Sequence, residues 1–196
     1  GVVGMQATEK QFFPSSNRAE VLVELWLPDG ASLAATERET KRVEALLDRN
    51  EDVATYVAYV GNGSPRYFLS LDQQLFRQNF AQFVILTHDV DGRERAIEQI
   101  QRQLDDDFPG IRSRVYRTPL GPPVAYPIQF RVLGPEIAEL KRIGAQVEEV
   151  VRGVPDTIDT HSDWGQMSPA IRIDVDQARA RAIGLSSAQI SRFLGG

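Results

Sequence analysis

The chain has 196 residues, of which 42% are hydrophobic and 25% are charged, so a packed core is expected and wholesale disorder is not. The formal net charge of −5 argues against an extended nucleic-acid surface, which would need clustered basic side chains. The lack of cysteine excludes disulfides, cysteine-ligated zinc and thiol catalysis, and no apolar run approaches the roughly 20 residues that cross a bilayer.

The first half of the sequence predicts six elements. Residues 19–27 alternate apolar and polar side chains, as a strand with one buried face does, and Ser32 is a good N-cap for the helix that follows. The elements in chain order are a strand at 19–27, a helix from Ser32 to about Asn50, strands at 53–61 and 81–90, a helix with apolar positions from Ile97 to Phe108, and a strand at 111–120. This β-α-β-β-α-β order is that of a ferredoxin-like unit.

The second half begins the same pattern again but lacks the last strand. Four prolines within 119–127 predict a stiff linker, because proline prevents helix and breaks strand pairing. The predicted elements after it are a strand at 128–134, a helix starting near Pro135, strands at 157–165 and 170–176, and two short helices separated by Gly184. The predicted buried face of the helix consists of Ile137, Leu140, Ile143, Val147 and Val150/Val151. A sheet without its last strand has an open edge. We therefore expect the missing strand to come from beyond residue 196 or from a partner.

The sequence thus predicts an α+β chain of two tandem ferredoxin-like (βαββαβ) subdomains, the second incomplete at its C-terminus. Their predicted bounds are 1–121 and 122–196.

Residues 61–80 are a long connection between the second and third predicted strands, and loops of this length are usually functional or disordered. The loop carries the aromatic residues Tyr67, Phe68, Phe76 and Phe80, and Phe83 follows closely. Such rings suit the binding of apolar ligands, since they offer large flat surfaces at low entropic cost. They also suit packing back onto the local core, which is the favoured interpretation, and ligand contact stays open as the alternative.

Other candidate sites are weaker. His161 and Asp163 could form a metal site or an acid–base pair, but His88 is the only other histidine and is distant in sequence, so a structural or surface role is favoured. Three carboxylates at 105–107 are interpreted as a solvated helix end. The sequence contains no phosphate-binding loop, dinucleotide fingerprint, nucleophile elbow or zinc-protease motif. It therefore predicts no enzyme, no cofactor and no metal site.

Three stretches resemble one transporter family. The segments are "QFFPSSNRAEVLVELWLPDGASLAATERETKRVEALL" (11–47), "GPPVAYPIQFRVLGPE" (121–136) and "IRIDVDQARARAIGLSSAQI" (171–190). Together they resemble resistance–nodulation–division (RND) efflux transporters of the acriflavine-resistance type, over essentially the whole chain from Gln11. The likeness is to the second of that family's two periplasmic loops.

This resemblance implies that each half is a porter subdomain, and that the second is interrupted near residues 193–196 by an inserted docking domain. It implies proton-driven export of amphiphilic compounds by a homotrimer in a bacterial inner membrane, working with a periplasmic adaptor and an outer-membrane channel. Loop 61–80 resembles the family's switch loop between two substrate pockets. The implied substrate-binding residues are Tyr67, Phe68, Phe83, Tyr116, Gln129, His161 and Asp163.

Alternatives to this interpretation differ in the cargo of the transporter or in the class of protein. Within the family, metal cargo would favour methionine, histidine or carboxylate clusters, and Met5 and Met167 are far apart in the sequence. Lipid-like cargo would need apolar walls, as drugs do. Outside the family, a free-standing regulatory module could bind a small metabolite and pair through its open sheet edge. A phosphatase of acyl phosphates on this fold would need an arginine in "PDGAS", which has none.

Overall fold

The computed structural model describes residues 16–120, 126, 128–155, 157–165 and 172–194. Most of the proline-rich linker predicted at 121–127 lies outside these residues. The elements in chain order are β1 (Glu20–Trp26), α1 (Leu33–Leu47), β2 (Val53–Val60), β3 (Phe80–Thr87), α2 (Val90–Asp107), β4 (Arg112–Arg117), α3 (Ile137–Arg152), α4 (Gln177–Ala182) and α5 (Ser187–Leu194). No helix in the described part of the chain is both long and apolar enough to span a membrane.

The four strands form one antiparallel sheet in the order β2-β3-β1-β4. The two central strands are β1 and β3. The hairpin strands β2 and β3 pair directly, whereas the strands joined through a helix, β1 with β2 and β3 with β4, are separated by one strand, as in a ferredoxin-like unit. The six elements predicted between residues 19 and 120 are all present in the predicted order. The α+β class and this first unit are therefore confirmed, whereas the division at residue 121 and the tandem arrangement stay predictions.

One face of the sheet packs against α1 and α2 and forms the core. The alternation in β1 places Val21, Val23 and Leu25 on this face, all of them without exposed surface. Helix α1 contributes Val43 and Leu47, and other core side chains come from β3 and α2: Ala81, Phe83, Ile85, Ala96, Ile100 and Leu104. Since a strand alternates, the next side chains along β1 point to the opposite face, which α1 and α2 leave uncovered. We call this side of the sheet, opposite α1 and α2, the helix-free face.

Both helices of this unit begin at side-chain caps. Ser32 Oγ accepts a hydrogen bond from the Ala35 amide at 3.2 Å, as the sequence predicts. Asp89 Oδ1 accepts one from the Gly92 amide at 2.6 Å. These caps fix where each helix leaves the sheet.

Loop 61–79 closes on itself over the helix-free face. The Gly63 amide donates to the Gln74 carbonyl at 3.2 Å, and the Arg77 amide donates to the Gly61 carbonyl at 2.9 Å. Leu71 packs inward with 1% exposure, whereas Phe76 is 61% exposed. Some apolar residues of the loop therefore pack on the fold and others stay accessible, and ligand contact by the aromatic rings stays a prediction.

Gly61 gives the first testable prediction. Its φ is +77°, and a Cβ there would lie 2.8 Å from Leu33 Cδ1 and 3.2 Å from the Phe76 ring. Gly61→Ala should lower the free energy of unfolding by about 1–2 kcal/mol, because left-handed backbone is costly for alanine. Urea unfolding measures this. Gly110→Ala is the control, since a Cβ there meets nothing within 4 Å; equal losses for the two variants would contradict the prediction.

Among the residues that the structure describes, the three strands predicted after the linker are not formed. Residues 128–134, 157–165 and 172–176 are irregular, which corrects the prediction, and residues 170–171 of the third predicted strand lie outside the described part of the chain. The predicted buried stripe of α3 is also wrong for this structure: no residue of α3 is buried, and Ile137 and Val150 are 60% and 71% exposed. Alternation marks a segment that can join a sheet, but a strand forms only where a neighbouring backbone supplies hydrogen bonds. Among the described residues, these segments have no such neighbour.

Candidate functional site

A cleft of about 720 Å³ lies on the helix-free face of the sheet. Its floor is formed by β1 and β4, one wall by loop 61–79, and the other wall by residues 161–165 together with Tyr126. The principal lining side chains are Glu24, Trp26, Asp72, Arg77, Arg112, Arg114, Tyr116, Tyr126, His161, Asp163 and Trp164. The cleft therefore combines large aromatic rings with charges of both signs.

Trp26 is the centre of one stacked group in this cleft. Its ring lies 4.4 Å from the Phe80 ring, and the guanidinium groups of Arg112 and Arg77 lie over it at 5.0 and 5.5 Å. Guanidinium groups stack well on indole because the ring face is electron-rich. The indole Nε1 is buried and has no hydrogen-bond partner among the described residues. A ligand that offers an acceptor at this point would remove that cost.

Tyr116 forms a second stacked group. Its hydroxyl donates to Glu24 Oε1 at 2.7 Å, and the Arg114 guanidinium lies 4.3 Å from its ring and 4.5 Å from the Tyr126 ring. Burial, followed by the charge of Glu24 and its hydrogen bond, raises the pKa of Tyr116 well above its ordinary value. The hydroxyl therefore keeps its proton and can donate a hydrogen bond at every physiological pH.

An electrostatic clamp joins β4 to the second half of the chain. Arg112 Nη1 donates to the Tyr126 hydroxyl oxygen at 3.1 Å and lies 3.4 Å from Asp159 Oδ1. His161 Nδ1 lies 2.9 Å from the Asp159 carbonyl oxygen and 3.5 Å from Asp159 Oδ1, and its ring meets the Tyr126 ring at 4.7 Å. Asp159 adopts a φ of +52°, which is unusual for a residue other than glycine. We call Arg112, Tyr126, Asp159 and His161 the clamp.

The charges in the clamp shift two pKa values in opposite directions. The hydrogen bond to Asp159 raises the pKa of His161 against the opposing effect of burial. Burial acts to raise the pKa of Asp159, but the hydrogen bond from His161 and the charge of Arg112 outweigh it, so this pKa is lowered. The pH range in which His161 and Asp159 are both charged is therefore wider than it would be without their contact.

The second testable prediction is a pH dependence of the clamp. Because the His161 pKa is raised, its stabilisation is complete below the ordinary histidine pKa and is lost as pH rises through the raised value. The contribution of Asp159 is lost only as pH falls through its lowered pKa. An NMR titration of the imidazole should give a pKa for His161 above about 6.5, and Asp159→Asn should lower it. His88→Gln simplifies the assignment. A His161 pKa unchanged in Asp159→Asn would contradict the clamp.

Gly165 allows the second wall to approach the sheet closely. Its φ is +72°, and a Cβ there would lie 2.6 Å from Asp29 Oδ2 in the turn after β1. Trp164, the residue before Gly165, has its ring 5.3 Å from the Lys141 ammonium. The backbone conformation thus favours glycine, and a side chain there would displace the Asp29 carboxylate.

The structure brings together three of the seven site residues expected from the sequence. Tyr116, His161 and Asp163 all line the cleft. Tyr67 and Phe68 lie outside it on the loop, as a ring pair 5.0 Å apart with Arg18 over Phe68 at 5.8 Å. Tyr67 is 43% exposed and remains accessible to a ligand.

Two expected site residues lie elsewhere. Phe83 has no exposed surface and packs in the core under the helices, with the Tyr56 ring 6.1 Å away, so the structure corrects its assignment as a pocket-lining residue. Successive side chains of β3 lie on opposite faces of the sheet, so Phe83 faces the helices whereas Gln82 faces the cleft. Gln129 is exposed and donates to the Tyr126 carbonyl at 3.1 Å beside the cleft, which it does not line.

Sequence reasoning missed the residues that dominate the cleft, namely Glu24, Trp26, Arg112, Arg114, Tyr126 and Trp164. A signal was present for the strand residues, because polar and aromatic side chains occupy the alternate positions of β1 and β4. Met5 and Met167, considered for metal cargo, lie outside the described residues. Within the described part, no group of three or more histidines and carboxylates could hold a metal ion.

Comparisons with known proteins show which family and which fold the chain resembles. The model of the AcrB/AcrD/AcrF family matches residues 2–195. Among solved structures, the chain is similar to a heavy metal efflux pump in crystal form I, with a TM-score of 0.66 and 17% identity over 99% of this chain and 21% of the pump chain. Crystal form II gives a TM-score of 0.64 and 19% identity over 98% of this chain and 21% of the pump chain. Because the sequence identity is at most 19%, these matches show similarity of fold alone. The chain spans about 21% of the length of the pump chain. No curated protein matches significantly.

Proposed function

The chain belongs to the AcrB/AcrD/AcrF family, and from this membership we propose that it is a periplasmic porter fragment of a proton-coupled RND efflux transporter. Its cleft on the helix-free face of the sheet is proposed to line a pocket for amphiphilic compounds. Membership in a transporter family favours this function over catalysis and over a free-standing regulatory module.

The observation that carries the proposal is the composition of the cleft. Broad recognition of amphiphiles needs large apolar surfaces with few strict hydrogen-bond requirements, and aromatic rings provide them. Trp26, Tyr116, Tyr126 and Trp164 supply such surfaces, while the guanidinium and carboxylate groups around them can meet a polar end. A ligand of mixed character is the natural occupant.

The two walls of the cleft suit a pocket that opens and closes. One wall is the long loop 61–79, and the other is tied to β4 through the clamp across 47 residues of sequence. Transport requires a difference in affinity between conformations. A cleft whose walls are held by a few polar contacts can provide this difference.

The architecture of the whole transporter is proposed from the family. Residues 1–121 and 122–196 would be two porter subdomains of the second periplasmic loop, and the strands that complete the second would follow an inserted docking domain. A strand supplied in this way would give residues 128–134, 157–165 and 172–176 the neighbours that they lack here. The transporter would be a homotrimer in the inner membrane, with a periplasmic adaptor and an outer-membrane channel as partners.

Dye accumulation in cells tests this function. The full-length transporter would be expressed in an efflux-deficient bacterial strain, and intracellular accumulation of amphiphilic dyes would be measured. Tyr116→Ala should raise accumulation severalfold, and Phe68→Ala should raise it for cargo that passes the loop. Lys41→Ala is the control, because its side chain is 67% exposed on α1 far from the cleft face. Normal efflux of every tested dye by well-expressed Tyr116→Ala would refute the assignment.

A further inference from the structure

A buried carboxylate lies in the floor of the cleft. Glu24 is 4% exposed, and its Oε1 accepts hydrogen bonds from the Tyr116 hydroxyl at 2.7 Å and from Gln82 Nε2 at 3.4 Å. A buried carboxylate is costly unless its hydrogen bonds are made, so these two donors matter to its stability. Any group that enters the cleft and approaches Glu24 competes with them.

Gln82 connects this carboxylate to loop 61–79. While its Nε2 donates to Glu24, its Oε1 accepts from the Ser64 backbone amide at 2.7 Å. Both Gln82 and Ser64 are 1% exposed, so the connection is shielded from water. In a buried site each hydrogen bond polarises the next and none is readily replaced by solvent. A change in the hydrogen bonding of Glu24 therefore affects, through Gln82, the hydrogen bond of the Ser64 amide near the start of loop 61–79.

The charges that line the cleft favour a cation over an anion. Carboxylates outnumber guanidinium groups in the lining by five to three. Arg112 is engaged with Asp159 in the clamp, and Arg114, the cross-strand neighbour of Glu24, lies over the rings of Tyr116 and Tyr126. A protonated amine makes a charge-assisted hydrogen bond to a carboxylate, which is stronger than the bond from a neutral phenol. The neighbouring ring faces add cation–π attraction.

We propose that Glu24 is a specificity-determining residue of the cleft, which binds a protonated amine of the cargo in place of the Tyr116 hydroxyl, and that Gln82 transmits this exchange to loop 61–79. The proposal rests on the proposed function of the cleft as a cargo site. It adds the charge of the preferred cargo and the contact by which the loop responds to occupancy.

The test uses the 196-residue chain and three probes with the same ring system: 1-pyrenemethylammonium, 1-pyrenemethanol and 1-pyrenecarboxylate. Fluorescence anisotropy gives the Kd of each, and NMR hydrogen exchange follows the Ser64 amide. We expect the ammonium probe to bind about tenfold more tightly than the alcohol. Saturating ammonium probe should accelerate exchange at Ser64, and the alcohol should not.

Three variants separate the steps. Glu24→Gln keeps the size and an acceptor but removes the charge, so it should abolish the preference for the ammonium probe over the alcohol probe. Tyr116→Phe removes the competing donor and should tighten ammonium binding. Gln82→Leu should keep the preference but leave Ser64 exchanging fast with or without probe. Circular dichroism checks the fold of each variant, and the opposite signs for Glu24→Gln and Tyr116→Phe keep the test decisive if one variant is unstable.

The outcomes distinguish this proposal from the function on which it rests. If wild type binds all three probes alike, or Glu24→Gln keeps the ammonium preference, the role of Glu24 is wrong while the cleft remains a binding site. If no probe binds, the cleft itself fails as a cargo site. If the preference depends on Glu24 but Ser64 exchange never responds, the transmission to the loop is overturned.

Discussion

Phe83→Ala should lower the free energy of unfolding by about 3–5 kcal/mol, because it removes a large ring from a closely packed interior. Phe83 has no exposed surface and lies between the sheet and the two helices of the first unit. Its cross-strand neighbour Val23 and the edge of the Tyr56 ring would face the cavity. No rearrangement of a surface loop can fill that space.

Urea unfolding followed by far-UV circular dichroism measures this loss. Leu69→Ala is the control, since Leu69 is 85% exposed on the loop and should change stability by less than about 0.5 kcal/mol. Phe83→Leu, which retains most of the volume, should bind cleft ligands normally. If Phe83→Ala were as stable as wild type but bound amphiphiles poorly, Phe83 would face the pocket, as the family resemblance implies.

Trp26→Ala should weaken the binding of an aromatic amphiphile to the cleft by about tenfold or more, as loss of a buried aromatic anchor commonly does. The indole holds the Arg77 and Arg112 guanidinium groups on its faces and stacks against Phe80. Its removal takes away both the flat surface and the support for two charged groups. The effect should therefore exceed that of any single charge substitution in the cleft.

Isothermal titration with 1-pyrenemethanol measures this change. Trp26→Phe separates the two contributions of the indole, because it keeps a ring but removes the unpartnered Nε1 donor. Phe76→Ala is the aromatic control. Phe76 is 61% exposed on loop 61–79, which forms one wall of the cleft, but its side chain does not line the cleft. Equal losses for Trp26→Ala and Phe76→Ala would show that the probe binds the loop rather than the cleft.

The first unit could be predicted because its signals are local. The alternation in β1, the Ser32 cap and the helical spacing from Ile97 to Leu104 each depend on neighbouring residues. Together they fix six elements, and the ferredoxin-like order then fixes the sheet. The bounds differ by few residues; β3, for example, begins at Phe80 rather than Ala81.

The second half could not be predicted in this way, because the same local signals need a distant partner. Residues 128–134 alternate as a strand does, yet Phe130 is 67% exposed and no neighbouring strand is present in the described part of the chain. The cleft was missed for a related reason. Arg112 and Asp159 lie 47 residues apart, and only the folded chain shows that they meet. Strand parity, by contrast, could have separated Phe83 from the cleft residues.

Trp26 and Trp164 are the two tryptophans of the chain, and both line the cleft, so their fluorescence reports directly whether an amphiphile enters it. The decisive measurement is a titration with a brominated aromatic amphiphile, which quenches tryptophan only at contact, below its critical micelle concentration. We expect saturable single-site quenching in wild type, in Trp26→Phe and in Trp164→Phe, each protein with its own Kd. Quenching that never saturates, or no quenching of either tryptophan, would contradict a cargo-binding cleft on this face of the sheet.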